Sequence, residues 1–364
     1  MLKTILLASY AIVAFNFSLQ AQGSARQQYV QKLYNGDPVP KLWVPLLSHF
    51  KEDGVTIDVN RTKKHLQNIA PNIGGVLIPG STGEGWEMSL LEQLSLLKQV
   101  LPLLKEKRLL VSIGILRTSS EGVLIDLETV AKELMAWSGE ENLDQALDFY
   151  HIKGFTICNP KGKSFSQHQL IAYWEQVLAR NLPTIFYQLP QVTGNELNRT
   201  SLVYLSGKYP NLYMVKDTSG EDELAKAREN YGDLFFVRGY EGKYYKQLKK
   251  NGGYYDGLLL GTANVFSKEL SQVIELSENE AKRISIRLDK IIQPTFNKAG
   301  KVSYSNAFTI TNKAFDHFKA YGMQYPKVEI QTLYNQRSIP LEIVLSAYHA
   351  LAEAKIHPSG YLNK

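Results

Sequence analysis

Eight short apolar runs, separated by stretches with helical spacing, are the feature of this sequence that most restricts its fold. The runs lie at 42–47, 74–79, 108–115, 154–159, 183–189, 212–216, 234–239 and 256–261. Between them, segments such as 90–107 and 168–181 place apolar residues at helical intervals. Strands that alternate with helices favour parallel βαβ units. Eight such units in about 230 residues agree with a closed (β/α)8 barrel, whose usual size is about 250 residues.

An open doubly wound sheet is the alternative, but the count of eight strands and the absence of a GxGxxG turn argue against it. We therefore predict an α/β fold, a (β/α)8 TIM barrel over residues 40–270. An N-terminal extension at 22–39 precedes the barrel. A helical segment at 271–364 follows and is expected to pack on it. The third connection is the longest, and residues 125–150 read as an insertion of helical character.

The first residues have the composition of a signal peptide. Lys3 precedes an apolar run at 5–15, and small and polar residues follow around Ala21. The run is short for a membrane span. We predict a signal peptide at 1–21 and an exported protein, periplasmic or secreted, that is free of the membrane after cleavage. An uncleaved N-terminal anchor is the alternative.

Composition excludes several other classes. The formal net charge of +6 is spread along the chain without basic–aromatic clusters, so we expect no nucleic-acid partner. The single cysteine, Cys158, lies in an apolar strand and predicts a buried, inert thiol. The seven histidines show no spacing typical of metal ligands, so we predict no metal site.

Lys216 stands directly after the apolar residues 212–215, where a strand is expected to end. A lysine at such a junction is costly to bury, and one interpretation is that its amine reaches solvent. The other is that the amine is desolvated. Desolvation lowers the pKa of a lysine, and a neutral amine can attack a carbonyl group to form a Schiff base.

Other chemical groups stand where neighbouring strands end, and in a (β/α)8 barrel these ends share one face. The loop GSTGEG at 80–85 offers backbone N–H groups and the hydroxyls of Ser81 and Thr82 to a carboxylate. Tyr187 ends the fifth strand, opposite Lys216, and this position favours a proton-transfer role. A plain glycine loop and a core tyrosine are the alternatives.

Four motifs in order carry a resemblance: GSTGE, then Y-x-x-P-x-x-[ST]-G, then V-K-D-[ST], then G-[ST]-x-N. Over about residues 40–270 the chain resembles the dihydrodipicolinate synthase/N-acetylneuraminate lyase family, pyruvate-handling class I aldolases on a (β/α)8 barrel. The resemblance implies that Lys216 forms the Schiff base with a 2-oxo acid, that Tyr187 relays protons, and that Ser81 and Thr82 hold the carboxylate. It implies no metal or other cofactor, because the protonated imine is itself the electron sink.

Within this family the match to the sialic-acid lyase branch is the better one. The matching candidates for substrate binding are Ser81, Thr218, Gly239, Glu241 and Thr262, the last two as replacements of an aspartate and a serine. Gly242 stands where that branch has an acidic residue. Val192 stands where dihydrodipicolinate synthases have an arginine for the second substrate. The resemblance therefore favours a lyase of 2-keto-3-deoxy sugar acids, similar to N-acetylneuraminate lyase, over dihydrodipicolinate synthase activity.

One departure leaves a third alternative open. Family members carry a tyrosine pair after the fourth strand, and Lys161 and Gly162 occupy those positions here. One tyrosine of the pair completes a proton relay across a subunit contact, so its loss suggests either altered chemistry or a non-catalytic pyruvate or sugar-acid binding protein. The resemblance also implies a homo-oligomer, a dimer or a tetramer.

Overall fold

The computed structural model describes residues 23–363 and contains a closed barrel of eight parallel strands. Each strand pairs with the next, and the first pairs with the eighth. Strands β1 to β8 are Leu42–Pro45, Gly75–Ile78, Leu110–Ile115, Ile152–Cys158, Thr184–Gln188, Leu212–Asp217, Phe235–Arg238 and Gly257–Leu259. Each strand falls within or overlaps one of the apolar runs. The prediction of a (β/α)8 barrel is confirmed, and the open-sheet alternative is wrong.

Helices fill the connections and the two ends of the chain, together with a few short 3₁₀ turns. Helices α1 to α14 are Ala25–Leu33, Val59–Ile69, Leu90–Glu106, Ser120–Ser138, Leu143–Phe149, Gln167–Leu178, Pro190–Thr193, Arg199–Lys208, Glu223–Lys226, Tyr244–Gln247, Ala263–Glu275, Glu278–Ala299, Ala307–Tyr321 and Leu341–Glu353. Local sequence explains several starts. Ser89 and Glu92, for example, exchange side-chain and backbone hydrogen bonds in a capping box at the start of α3. The predicted insertion at 125–150 forms the greater part of α4 and all of α5.

Alternation along the strands decides which side chains enter the barrel. In β6, Met214 belongs to the apolar group inside the barrel, whereas Val215 packs in the layer between strands and helices. Lys216, two residues after Met214, therefore points inward again. The same alternation in β5 turns Ile185 and Tyr187 inward. The barrel interior is thus apolar toward the end where the strands begin, and it becomes polar where the strands finish.

The N-terminal extension closes the end of the barrel where the strands begin. Tyr34 packs with the apolar residues inside the barrel, and its hydroxyl lies 3.2 Å from that of Tyr213. Arg26 is buried, and its guanidinium donates to the carbonyl oxygens of Leu212 at 2.8 Å and Tyr231 at 3.2 Å. These contacts fill the barrel interior at the end where its strands begin.

The C-terminal helices α12, α13 and α14 pack on one another, and α13 also reaches the barrel. Its Thr309 hydroxyl donates to the loop that follows β2. In the described part of the chain no helix is both long and apolar enough to cross a membrane. The predicted signal peptide at 1–21 lies outside the described residues.

Candidate active site

Lys216 and Tyr187 lie side by side at the end of the barrel where the strands finish. They are register partners on β6 and β5. The Lys216 Nζ is 3.7 Å from the centroid of the Tyr187 ring, and the two residues are only 3% and 2% exposed. The lysine side chain therefore does not reach solvent, and its amine packs against the face of the tyrosine ring. These are the two residues that the sequence predicted to be catalytic.

Burial changes the protonation of Lys216. Removal from water lowers the pKa of the amine from 10.5 to about 7, although the nearby Glu241 carboxylate opposes the change. Close to neutral pH a large fraction of the side chain is then the free amine. A neutral, partly desolvated amine is the nucleophile that Schiff-base formation needs.

The Tyr187 hydroxyl is the first member of a short chain of polar side-chain contacts. Its hydroxyl lies 3.3 Å from Ser81 Oγ, which also accepts a hydrogen bond from Trp86 Nε1 at 2.9 Å. Burial raises the pKa of the Tyr187 phenol, so the phenol stays protonated at neutral pH. Because Trp86 donates to Ser81, the serine hydroxyl can in turn donate to Tyr187 or to a substrate oxygen.

The loop 80–85 uses the backbone N–H groups of its second half to hold its own conformation. The N–H groups of Gly83 and Gly85 donate to the carbonyl oxygen of Gly80, and that of Glu84 donates to Ser81. A Cβ on Gly83 would lie 2.4 Å from the carbonyl oxygen of Leu46, so only glycine fits there. The N–H groups of Ser81 and Thr82 donate to no acceptor within residues 23–363, so these two N–H groups and the two hydroxyls are the donors with which the loop can hold a carboxylate.

Gly239 and Thr218 shape the space beside the lysine. A Cβ on Gly239 would lie 2.1 Å from Thr218 Oγ1 and 3.0 Å from Lys216 Cε. The Thr218 hydroxyl lies beside Tyr187, where it moderates the rise in the pKa of that phenol. It has no hydrogen-bond partner of ordinary geometry within residues 23–363. A buried hydroxyl of this kind beside the Lys216 side chain is suited to a ligand.

Glu241 and Thr262 bind each other. The glutamate carboxylate accepts hydrogen bonds from the Thr262 N–H at 3.0 Å, the Thr262 hydroxyl at 2.7 Å and the Tyr244 hydroxyl at 3.0 Å. Burial raises the pKa of Glu241. Thr82 Oγ1 and Glu241 Oε1 both lie near the empty Cβ position of Gly261, at 3.1 and 3.4 Å. The eight predicted site residues therefore converge on one end of the barrel, with Glu241 and Thr262 already paired.

The departures from the family pattern have local explanations. A Cβ on Gly162 would lie 2.8 Å from the Phe165 ring, so a tyrosine does not fit this loop conformation. Val192 packs on an apolar group that includes Tyr187 and Leu189, together with Cys158, which is buried as predicted. A Cβ on Gly242 would lie 3.3 Å from an Asp289 carboxylate oxygen, so helix α12 brings an acid close to the position where the motif lacks one.

Sequence reasoning missed several groups around the site. Trp86 follows the GSTGE motif but carried no signal of its contact with Ser81. Asp289, Thr309 and Lys313 lie in the C-terminal helices, far along the chain from any motif. Within residues 23–363, no group of three or more His, Cys, Asp or Glu side chains is placed to hold a metal ion.

Comparison with known proteins gives a family for this arrangement. The sequence profile of the dihydrodipicolinate synthetase family matches residues 128–311, half of the chain. The 4-hydroxy-tetrahydrodipicolinate synthase of Prosthecochloris aestuarii is 25% identical over 276 residues, which are 73% of this chain and 85% of that protein. The probable mitochondrial 4-hydroxy-2-oxoglutarate aldolase of Emericella nidulans is 22% identical over 294 residues, 79% of this chain and 87% of that protein.

Solved structures agree on the fold. The dihydrodipicolinate synthase of Cyanidioschyzon merolae with lysine bound superposes with a TM-score of 0.66 at 18% identity, covering 87% of this chain and 98% of that one. At this level of identity the likeness concerns the barrel and its added helices.

Proposed function

The chain belongs to the dihydrodipicolinate synthetase family of class I carbon–carbon lyases, and on this premise we propose that Lys216 forms a Schiff base with pyruvate or a pyruvate-derived 2-oxo acid. One observation carries the proposal above the others. The Lys216 amine is buried on the Tyr187 ring, and its pKa is lowered to about 7. Such an amine is costly to maintain in a protein interior and is useful as a nucleophile.

The surrounding residues supply the remaining steps. Lys216 Nζ attacks the C2 carbonyl carbon, and the carbinolamine loses water to give a protonated imine. When the C3–C4 bond breaks, its electron pair moves into this imine and forms an enamine, while the C4 hydroxyl loses its proton and becomes an aldehyde. Tyr187 is placed to exchange these protons, and Ser81 and Thr82 hold the carboxylate. Protonation of the enamine at C3 and hydrolysis then release pyruvate and the free lysine.

For the substrate we propose a 2-keto-3-deoxy sugar acid, as in N-acetylneuraminate lyases. Val192 and its neighbours form an apolar wall beside Tyr187 and provide no partner for a second carboxylate. A buried carboxylate without a charged or hydrogen-bonding partner would lose about 1–3 kcal/mol or more. Thr218 offers a hydroxyl without a partner among the described residues, which suits a hydroxylated chain. Because the Glu241 oxygens are largely occupied, a short chain fits better than a long one.

Condensation of pyruvate with aspartate semialdehyde is a second candidate, since relatives are named for that product. The exposed Lys161 precedes Gly162, whose N–H donates to the carbonyl oxygen of Thr193 in α7 at 2.8 Å, and it could bring a cation to the loops after β4 and β5. A binding protein without turnover is a third, and the loss of the tyrosine at Gly162 favours it. We also propose export by the signal peptide at 1–21 and assembly into a dimer or tetramer.

Borohydride reduction in the presence of pyruvate tests the central step. We expect a stable adduct on the peptide that contains Lys216, found by mass spectrometry, and none in a Lys216→Arg variant. An adduct on another lysine, or none at all, would refute the assignment. A coupled assay for pyruvate release over a panel of sugar acids, run beside an aspartate-semialdehyde condensation assay, then ranks the substrates. Silence in both assays with the adduct intact would favour the binding protein.

Cellular location and assembly have simple tests. N-terminal sequencing of the protein from its host should begin near Gln22 if the signal peptide is cleaved, and recovery of Met1 would contradict export. Light scattering should give the mass of a dimer or a tetramer, and a clean monomer would contradict assembly.

A further inference from the structure

Helix α13 holds the loop that carries Ser81 and Thr82. The Asn306 side chain, which caps this helix, donates to the carbonyl oxygen of Ser81 at 3.0 Å. The Thr309 hydroxyl lies within hydrogen-bond distance of two carbonyl oxygens, 3.1 Å from that of Ser81 and 3.0 Å from that of Thr82. The backbone of both residues that would bind the substrate carboxylate is thus held by the C-terminal segment.

A buried ion pair fastens the end of the same loop. Lys313 Nζ lies 2.5 Å from Glu84 Oε1, and the two side chains are 0% and 1% exposed. The second oxygen of Glu84 accepts from the Tyr334 N–H at 2.7 Å, and Lys313 also donates to the carbonyl oxygen of Thr332 at 3.0 Å. Glu84 has a φ of 62°, a left-handed conformation that is unfavourable for this residue type unless its surroundings hold it.

We propose that Lys313 is a positioning residue for the 2-oxo acid. Through Glu84 it fixes the loop on which Ser81 and Thr82 stand, and it neutralises a buried carboxylate only two residues after Thr82, close to where the substrate's own carboxylate would bind. The inference rests on the proposed function, since it takes the substrate carboxylate to bind at these two hydroxyls. A buried charge without its partner acts over several ångströms because the protein interior screens it weakly.

A second buried ion pair on the same helix serves as a control. Asp316 lies in α13, is 0% exposed, and binds Arg61 of α2 at 3.0 Å. Its other partners are the side chains of Gln331 and Tyr361. These contacts join α13 to α2 and to the C-terminus of the chain, not to the loop 80–85. A change at Asp316 should therefore weaken the packing of α13 without moving the carboxylate-binding hydroxyls.

The experiment compares Lys313→Met, the double variant Glu84→Gln/Lys313→Met, and Asp316→Asn with the unchanged protein. The quantity measured is the pyruvate concentration that gives half of the maximal borohydride-trapped adduct on Lys216. We expect it to rise at least about tenfold in Lys313→Met, where a buried carboxylate is left unpaired. The double variant, which removes both charges, should stay within about threefold of the unchanged protein. Asp316→Asn should lower Tm without changing this concentration.

A second readout needs no substrate. Hydrogen exchange of the amides of residues 83–85 should be faster in Lys313→Met and unchanged in Asp316→Asn. If Lys313→Met lowers Tm but leaves both the half-saturating pyruvate concentration and this exchange unchanged, Lys313 has only a structural role and the inference is overturned. If the unchanged protein forms no adduct, the proposed function fails, and the exchange measurement alone then decides whether Lys313 orders the loop.

Discussion

Replacing Lys216 by methionine should make the protein more stable while it abolishes imine formation. Methionine has nearly the length of the lysine side chain and is apolar, so it can fill the same space beside Tyr187 without a charge to desolvate. In the unfolded chain the amine titrates at its ordinary pKa of 10.5, whereas in the folded protein it titrates at about 7. The folded state therefore binds its proton less well.

The size of the effect follows from the two pKa values, 10.5 and about 7. At about 1.4 kcal/mol for each pKa unit, the lysine costs the folded protein about 4 kcal/mol at pH 7 and about 2 kcal/mol at pH 9. The direction follows from proton binding. Between pH 7 and 10.5 the unfolded chain holds more protons at this site, so the stability of the unchanged protein rises with pH in that window. Below pH 7 the cost is constant.

Urea unfolding at pH 7 and at pH 9 measures this cost. Lys216→Met should be more stable than the unchanged protein at both values, with an advantage that falls by about 2 kcal/mol between them. Lys98→Met, at an exposed position of α3, should show neither effect. If Lys216→Met is no more stable than the unchanged protein, or its advantage does not depend on pH, then the amine has an ordinary pKa. Lys216 would then lack the free amine that a nucleophilic role at neutral pH requires.

Two further substitutions test the neighbours of Lys216, and a third tests the opposite end of the barrel. Gly239→Ala should reduce pyruvate adduct formation by about a hundredfold or more, because its methyl group would occupy the space of Thr218 Oγ1 and Lys216 Cε. Gly207→Ala is the control, because Gly207 lies on α8 and nothing lies within 4 Å of the added methyl group. It should leave adduct formation unchanged and raise the free energy of unfolding by up to about 1 kcal/mol. Equal adduct yields for Gly239→Ala and Gly207→Ala would contradict the predicted steric clash. Tyr187→Phe keeps the aromatic ring against the Lys216 amine and removes only the hydroxyl. Borohydride trapping should therefore persist, while pyruvate release should slow by roughly 10²- to 10⁴-fold. An unchanged rate of pyruvate release would exclude a proton-transfer role for Tyr187. Arg26→Met removes the donors to the carbonyl oxygens of Leu212 and Tyr231, near the end of the barrel where the strands begin. It should lower the free energy of unfolding, measured in urea, by roughly 2–4 kcal/mol and leave adduct formation unchanged. An unchanged free energy of unfolding would show that the N-terminal extension does not stabilise the barrel.

The sequence by itself determined the architecture and the adjacency of Lys216 and Tyr187. A barrel strand is buried on both faces, so each one appears in the sequence as an apolar run, and eight runs separated by helices leave few other folds. Lys216 could be recognised because a charged residue at the end of such a run needs an explanation. Tyr187 could be paired with it because the strands are consecutive, and consecutive parallel strands in a barrel are neighbours.

Only the tertiary structure decided what surrounds that pair. Glu241 and Thr262 look like two substrate ligands in the sequence. In the folded chain, however, the N–H and hydroxyl of Thr262 donate hydrogen bonds to the Glu241 carboxylate. Lys313 carries no motif, yet it neutralises Glu84 from a helix more than two hundred residues later in the chain. Spacing along a strand is set by local geometry and can be read from a single segment. A contact between distant segments depends on how whole helices pack, and no local pattern records it.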